Sequence, residues 1–202
     1  MRYSLLGGGK RIRPILTIAA AQALGYDRDA MLPIAASLEF VHTYSLIHDD
    51  LPAMDDDDYR RGRLTNHKVF GDGMAILAGD ALLTMAFELC SQGEGTDGLS
   101  ATQQLDIVRE LALGSGHQGM VGGQVMDIQG ENQEIDLAHL QKIHTFKTGR
   151  LIRAAVRIGG IIGEATPQQM QCLTYHSEDI GFAFQIADDL LPPIGIVANC
   201  DA

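Results

Sequence analysis

Between Asp49 and Asp58 the chain places six carboxylates in ten residues, Asp49-Asp50-Leu51-Pro52-Ala53-Met54-Asp55-Asp56-Asp57-Asp58. Two unit charges about 5 Å apart repel by roughly 3 kcal/mol at an effective dielectric of about 20, so a set this dense needs cations. A hard divalent ion such as Mg²⁺, held by a few carboxylates and completed by substrate phosphates, suits it. The plainer account is a solvated acidic loop that opens the next helical segment. Position favours the metal. The run from Pro33 to Asp50 is nearly all core-like, so Asp49 and Asp50 close an apolar helix rather than a polar one. On that helix His42 and Asp49 share a face, seven residues and about 10 Å apart, with Ser45 between them. Arg60, Arg61 and Arg63 follow at once and match the oxygens of a diphosphate, although balancing the acidic run would also occupy them.

Two further constellations carry the same chemistry. Gly7-Gly8-Gly9-Lys10-Arg11-Ile12-Arg13-Pro14 sets three cations just ahead of a helix start, where the macrodipole disfavours positive charge unless an anion is present. It is not a Walker loop, and a glycine-rich turn with surface cations is the commoner explanation of such a string alone. Near the other end, Phe182-Ala183-Phe184-Gln185-Ile186-Ala187-Asp188-Asp189 again finishes an apolar run in paired aspartates, with Gln185, Asp188 and Asp189 on one helical face. Two such helix ends are expected to face each other across one metal-filled mouth. Between them lie Gln124, Asp127 and Phe146-Lys147-Thr148-Gly149-Arg150, where Lys147 is placed to meet a phosphate; snorkelling is its plainer role.

These groups have to be held by helices. Apolar residues recur at three- and four-residue intervals and strict alternation is hard to find, so the chain reads as all-α. The spacing predicts helices over about Pro14 to Leu24, Pro33 to Asp50, Gly73 to Ser91, Ala101 to Leu113, Gly119 to Asp127, Leu137 to Gly160 and Pro167 to Leu191. Pro14, Pro33 and Pro167 each suit a first helical position. With 202 residues and no linker-like stretch, one domain is expected, able to bury roughly 70% of its unfolded surface. A net charge of -11 argues against a nucleic-acid grip built on phosphate counterion release. Three widely spaced cysteines, Cys90, Cys172 and Cys200, point to neither a disulfide framework nor a zinc site, and fit a reducing compartment. Asp80, Thr84 and Glu88 interrupt the apolar tract from Met74 to Leu89, which is therefore not expected to span a bilayer.

Taken as a set, these segments resemble the trans-isoprenyl diphosphate synthases, and within them the bacterial farnesyl diphosphate synthases. The matching pieces are Gly8-Gly9-Lys10-Arg11-Ile12-Arg13-Pro14, the run from His42 to Asp58, Arg60-Arg61-Gly62, Gly122-Gly123-Gln124, Lys147-Thr148-Gly149 and Phe184-Gln185-Ile186-Ala187-Asp188-Asp189, in order over residues 3 to about 191. The resemblance implies an isoprenoid-synthase-type helical bundle around a deep apolar cavity, usually a cytoplasmic homodimer, that joins isopentenyl diphosphate to an allylic diphosphate with Mg²⁺. It implies that Asp49 and Asp55, with Asp50 nearby, hold the metal on the allylic diphosphate, and that Asp188 holds a further ion from the opposite side. Arg60, Lys147, Thr148 and Gln185 would grip the leaving group, while Lys10, Arg13, His42 and Arg61 bind isopentenyl diphosphate. Tyr44 and Ser45, five and four places before Asp49, would set product length; a bulky Tyr44 favours fifteen carbons over twenty.

The sequence departs from the pattern where Asp188-Asp189-Leu190-Leu191 is followed by Pro192 in place of a third aspartate. Residues 1–191 therefore read as a partial polyprenyl synthase domain and 192–202 as a divergent tail, with family helices missing at both ends and the bundle incomplete. A non-catalytic subunit of a prenyl synthase, a geranylgeranyl diphosphate synthase and a related terpene cyclase are the alternatives. The cyclase has no use for Lys10, Arg13 and His42, because no second diphosphate enters.

Overall fold

Pro33 stands in the first turn of the helix that organises the molecule, where its missing N–H costs nothing. From there Ile34, Leu38, Val41 and Ile47 run fully buried along Met31–Asp49. The computed structural model describes residues 1–91, 98–131 and 133–190, the side chains of 185–190 excepted. Its elements are α1 (Arg2–Leu5), α2 (Ile12–Ala23), α3 (Met31–Asp49), β1 (Tyr59–Arg60), β2 (Arg63–Leu64), α4 (Asn66–Phe70), α5 (Asp72–Ser91), α6 (Ala101–Ser115), α7 (Met120–Gly130), α8 (Leu137–His144), a π-helical turn (Thr145–Gly149), α9 (Arg150–Ile162) and α10 (Pro167–Leu190). The all-α class expected from the spacing is the observed one. Its only sheet among the described residues is the two-residue antiparallel hairpin β1-β2.

α3 is apolar on more than one face because it is packed on more than one side, which is what a helix without a polar stripe requires. Ala75, Gly79, Leu82, Ala86 and Cys90 of α5 meet it on one flank. α9 lies between α2, α6 and α10, burying Leu151, Ile152, Ala155, Ile158 and Ile162. The Thr17 hydroxyl of α2 donates to the Ala155 carbonyl of α9 at 2.9 Å, so a buried polar group finds its partner across the interface. Gly159 makes that crossing close: a Cβ there would overlap the Thr17 carbonyl oxygen and lie 2.7 Å from the Ala20 methyl.

Four expectations need correction. Pro14 and Pro33 occupy the third helical position rather than the first, while Pro167 does begin α10. The single helix expected over Leu137 to Gly160 is three pieces, α8, the π turn and α9. The hairpin and the short helices α1 and α4 were not anticipated by the apolar spacing. α5, whose polar residues were expected to disqualify it, is 20 residues long with a mean hydropathy of 1.5 and does meet the length and composition needed to cross a membrane. Its packing on α3 is equally the behaviour of a core helix.

Gly159→Val adds two methyl groups and a Cβ where none fits, so we expect a loss of about 1–3 kcal/mol, read as a lower urea midpoint at unchanged slope. Gly73→Ala, at a helical glycine with nothing within 4 Å, should leave the midpoint unchanged or raise it.

Candidate functional site

At one end of the α2–α3 pair the chain forms a cavity of about 520 Å³ lined by Lys10, Arg11, Arg13, His42, Arg61, Glu39 and Phe184, together with the Gly7–Gly9 backbone. The glycines are there for conformation and for room. Gly8 and Gly9 have φ of +98° and +120°, and a Cβ on Gly9 would lie 2.5 Å from the Arg61 guanidinium, which donates to the Gly8 carbonyl. Arg61 reaches that carbonyl from the hairpin, where Arg61 and Gly62 form the two-residue connection with φ of 54° and 74°, the positive pair a type I′ turn demands. The turn therefore aims one arginine at the glycine loop. Arg60, just before it, points elsewhere: its Nε donates to Asp50 at 2.5 Å and a terminal nitrogen to Asp57 at 3.2 Å. Phe184 places α10, the helix that carries Gln185 and Asp188, over this pocket. The roles expected of Gln185 and Asp188 lie outside the described side chains.

The electrostatics of the pocket are those of an anion site. Burial pushes the His42 imidazole down to about 2, and the Arg13, Arg61, Arg60 and Arg11 charges add to the effect. His42 is thus a neutral hydrogen-bonding group among cations. Two turns further along α3 the sign reverses. The Asp55 N–H donates to the Asp49 carbonyl at 2.9 Å, folding the acidic loop back over the helix end. Burial pushes Asp49 up to about 6, with Lys147 opposing and Asp55 and Asp50 reinforcing the rise. Asp50 is buried and raised likewise, with Arg60 opposing. Lys68 takes up Asp58 at 2.6 Å and Asp56 at 4.0 Å.

No ion pair reaches Asp49 or Asp55 among the described residues, although every other carboxylate of the run has a cation. Those two carboxylates, mutually repelling and cation-poor, are a donor pair that fits Mg²⁺. No three candidate ligand side chains converge among the described residues, so protein oxygens alone make the pair and not a closed cage.

Other residues are placed as follows. Lys147 bonds Asp127 at 2.6 Å, and its charge also bears on Asp49. The π turn is pressed against α7, where a Cβ on Gly123 would overlap the Lys147 backbone. Thr148 sits beside Lys147 in that turn. On the same α7 face as Asp127, Gln124 has both amide atoms buried without a partner among the described residues. Arg63, one of the three expected clamps, lies 4.3 Å over the Tyr3 ring instead. Tyr44 is buried, edge-on to His48 at 5.7 Å between ring centres, while Ser45 donates to its own helix at His42. The reading of the site residues missed Glu39 and Phe184. Glu39 stands three residues before His42, a spacing that would have found it.

A sequence profile for polyprenyl synthetases matches residues 1–195. A farnesyl diphosphate synthase of Geobacillus stearothermophilus is 48% identical over 191 residues, covering 95% of this chain and 64% of that protein. A chloroplastic heterodimeric geranylgeranyl pyrophosphate synthase large subunit of Arabidopsis thaliana is 46% identical, covering 95% and 52%. The solved apo structure of an FPP/GFPP synthase from Zymomonas mobilis superposes with a TM-score of 0.88 at 43% identity, covering 94% of this chain and 68% of that one. The chain thus spans a little under two thirds of the length of the Geobacillus relative.

Because the native pocket holds His42 neutral while the unfolded chain protonates it near pH 6.5, the unfolded state binds more protons below that value. Native stability should therefore fall as pH drops from about 6.5 toward 4, and His42→Gln should flatten that acid limb. Imidazole NMR should show His42 still neutral at pH 5.

Proposed function

The chain belongs to the polyprenyl synthetase family, and from that premise we propose that it joins isopentenyl diphosphate to dimethylallyl or geranyl diphosphate as a Mg²⁺-dependent trans-prenyltransferase yielding farnesyl diphosphate. The observation that carries this reading is the pair of half-sites on α3: a basic pocket around His42 and, two turns on, a cation-poor carboxylate pair at Asp49 and Asp55. One protein with two separate places for anionic groups suits two diphosphate substrates. A terpene cyclase, with one, leaves the basic pocket without a purpose.

Lys10, Arg13, His42 and Arg61 would hold isopentenyl diphosphate, with His42 donating or accepting a neutral hydrogen bond while the cations carry the charge. Arg60, Lys147, Thr148 and Gln185 would grip the allylic diphosphate. Asp49 and Asp55, with Asp188 from α10, would hold Mg²⁺. When bound, the metal would neutralise the departing diphosphate and so lower the barrier to breaking its C–O bond. The isopentenyl double bond then attacks the allylic carbon, forming the 1'-4 link, and the proton lost in completing it passes to the released diphosphate. No protein nucleophile is needed. Burial of Tyr44 beneath the Asp49 end of α3 supports its role as the floor that limits product length. We place the enzyme in the cytoplasm as a homodimer, with the exposed α5 stripe of Met74, Leu77 and Met85 as the face a second copy covers.

Radiolabelled isopentenyl diphosphate offered with each allylic primer, followed by product sizing, tests the reading. Transfer is expected only with Mg²⁺ present, and Asp49→Asn should lower kcat by on the order of 10²- to 10⁴-fold, the equivalent of several kcal/mol. No turnover, with no Mg²⁺-dependent heat on adding pyrophosphate, would instead favour the non-catalytic subunit. Tyr44→Ala should lengthen the product by at least one five-carbon unit; unchanged lengths would remove Tyr44 from the argument.

A further inference from the structure

The basic pocket contains one group of the wrong sign. Glu39, 6% exposed, lines the same cavity as Lys10, Arg13 and Arg61, into which a diphosphate would have to descend. A buried carboxylate there repels the ligand and costs desolvation energy, so its presence needs a reason. The reason lies in what it holds. Its Oε1 accepts from Nη1 of Arg11, and Nη2 of the same guanidinium donates to the Leu5 carbonyl at 2.6 Å. Arg11 has φ 53° and ψ 35°, a left-handed conformation at the position that caps the start of α2. An arginine pays a steric penalty to sit there, and such a conformation persists only when surrounding contacts over-determine it. The left-handed residue is also the hinge of the motif: Lys10 precedes it on the glycine loop, Arg13 follows it in the first helical turn, and both line the cavity.

We infer that Glu39 is a positioning residue of the anion pocket, clamping Arg11 in its left-handed conformation so that Lys10 and Arg13 converge on one diphosphate. Arg11 is then a linker whose charge is spent on Glu39, not a direct ligand. The inference rests on the reading of this pocket as the isopentenyl diphosphate site and adds to it a residue that touches no substrate. Glu39 stands on the same face of α3 as His42, one turn earlier, so the clamp and the pocket floor move as one rigid element.

The sign of the effect separates positioning from charge. Removing a carboxylate that merely repels the ligand would tighten diphosphate binding; removing a clamp would weaken it. Titration calorimetry of the chain with isopentenyl diphosphate should therefore show about tenfold weaker binding for Glu39→Gln, the scale of lost support behind a ligand-binding group. Arg11→Gln should lose about the same, and the double variant no more than either single one, since all three break one clamp. In turnover, the KM for isopentenyl diphosphate should rise while kcat and the KM for the allylic partner stay within about twofold, a split that general destabilisation would not produce. Arg11→Gln carries the test should Glu39→Gln fail to fold, as its urea midpoint would reveal. Unchanged or tighter binding by the folded variants, or additive losses in the double variant, overturns the inference while leaving the pocket reading intact. Failure of the unmodified chain to bind isopentenyl diphosphate overturns the pocket reading itself, and the clamp's purpose with it.

Discussion

His42 and Asp49 stand two turns apart on one buried helix, the first among cations and the second among carboxylates. At the first, Arg13 and Arg61 line the pocket with an imidazole held neutral by burial, while Arg11 is engaged by Glu39; at the second, burial pushes a carboxylate up to about 6, with Asp55 and Asp50 reinforcing and Lys147 opposing. The helix's backbone groups are already paired, so such charge can be relieved only by neighbouring charged side chains or by a ligand. On the proposed reading, an anionic ligand at one end and a cation at the other would relieve it. The remainder of the structure can be understood as the means of keeping that imbalance in place: α5 packs α3 from one flank, while the loops that carry the compensating arginines are anchored beside it.

Those anchors depend on close backbone approach more than on strong bonds. Gly9 leaves space for Arg61, Gly79 for the His48 ring, and Gly123 for the backbone of the π turn at Lys147. Each removes a Cβ where a functional side chain or its main chain crosses a neighbouring element. In the first case the glycine also supplies a positive φ that other residues adopt at a cost. Lys147, Arg61 and His48 are thus each placed by a close packing contact with a neighbouring element. The His48 Nε2–H donates to the Ile76 carbonyl at 3.1 Å and its ring lies edge-to-face with Tyr44, tying the α5 backbone to the residue proposed as the floor.

How much of this the bare sequence could disclose depends on whether a feature is local. The helical class, the ends of α5 and α10, and the crowding of charge at Asp49 all follow from spacing along the chain, and these were read within a few residues. The π turn at Thr145–Gly149 was not, because apolar spacing runs through it unbroken and its cause is tertiary, the pressure of Gly123 on Lys147. Arg63 was assigned to a diphosphate on proximity in sequence, yet it stacks on Tyr3, sixty positions earlier. The hairpin could have been found: Arg61-Gly62 between short flanks is a two-residue turn signal that a search for helices passes over. Glu39 is legible by its three-residue spacing to His42, but its role is not, because its partner Arg11 lies 28 positions earlier and only the fold brings them together.

The separation of the two half-sites along α3 has a consequence for the kind of chemistry the fold can support. About 10 Å divides residues seven apart on a helix, a rise set by backbone geometry and insensitive to side-chain adjustment. On the proposed reading, two diphosphate groups held at that spacing would be kept from sharing one metal site. A single flexible anion site would let either substrate occupy either role and would lose the distinction between the chain that leaves its diphosphate and the one that keeps it. On that reading, a rigid helix with a neutral imidazole among cations at one place and the Asp49 carboxylate two turns on would enforce the distinction. The first place would then accept a diphosphate directly, and the second only together with metal.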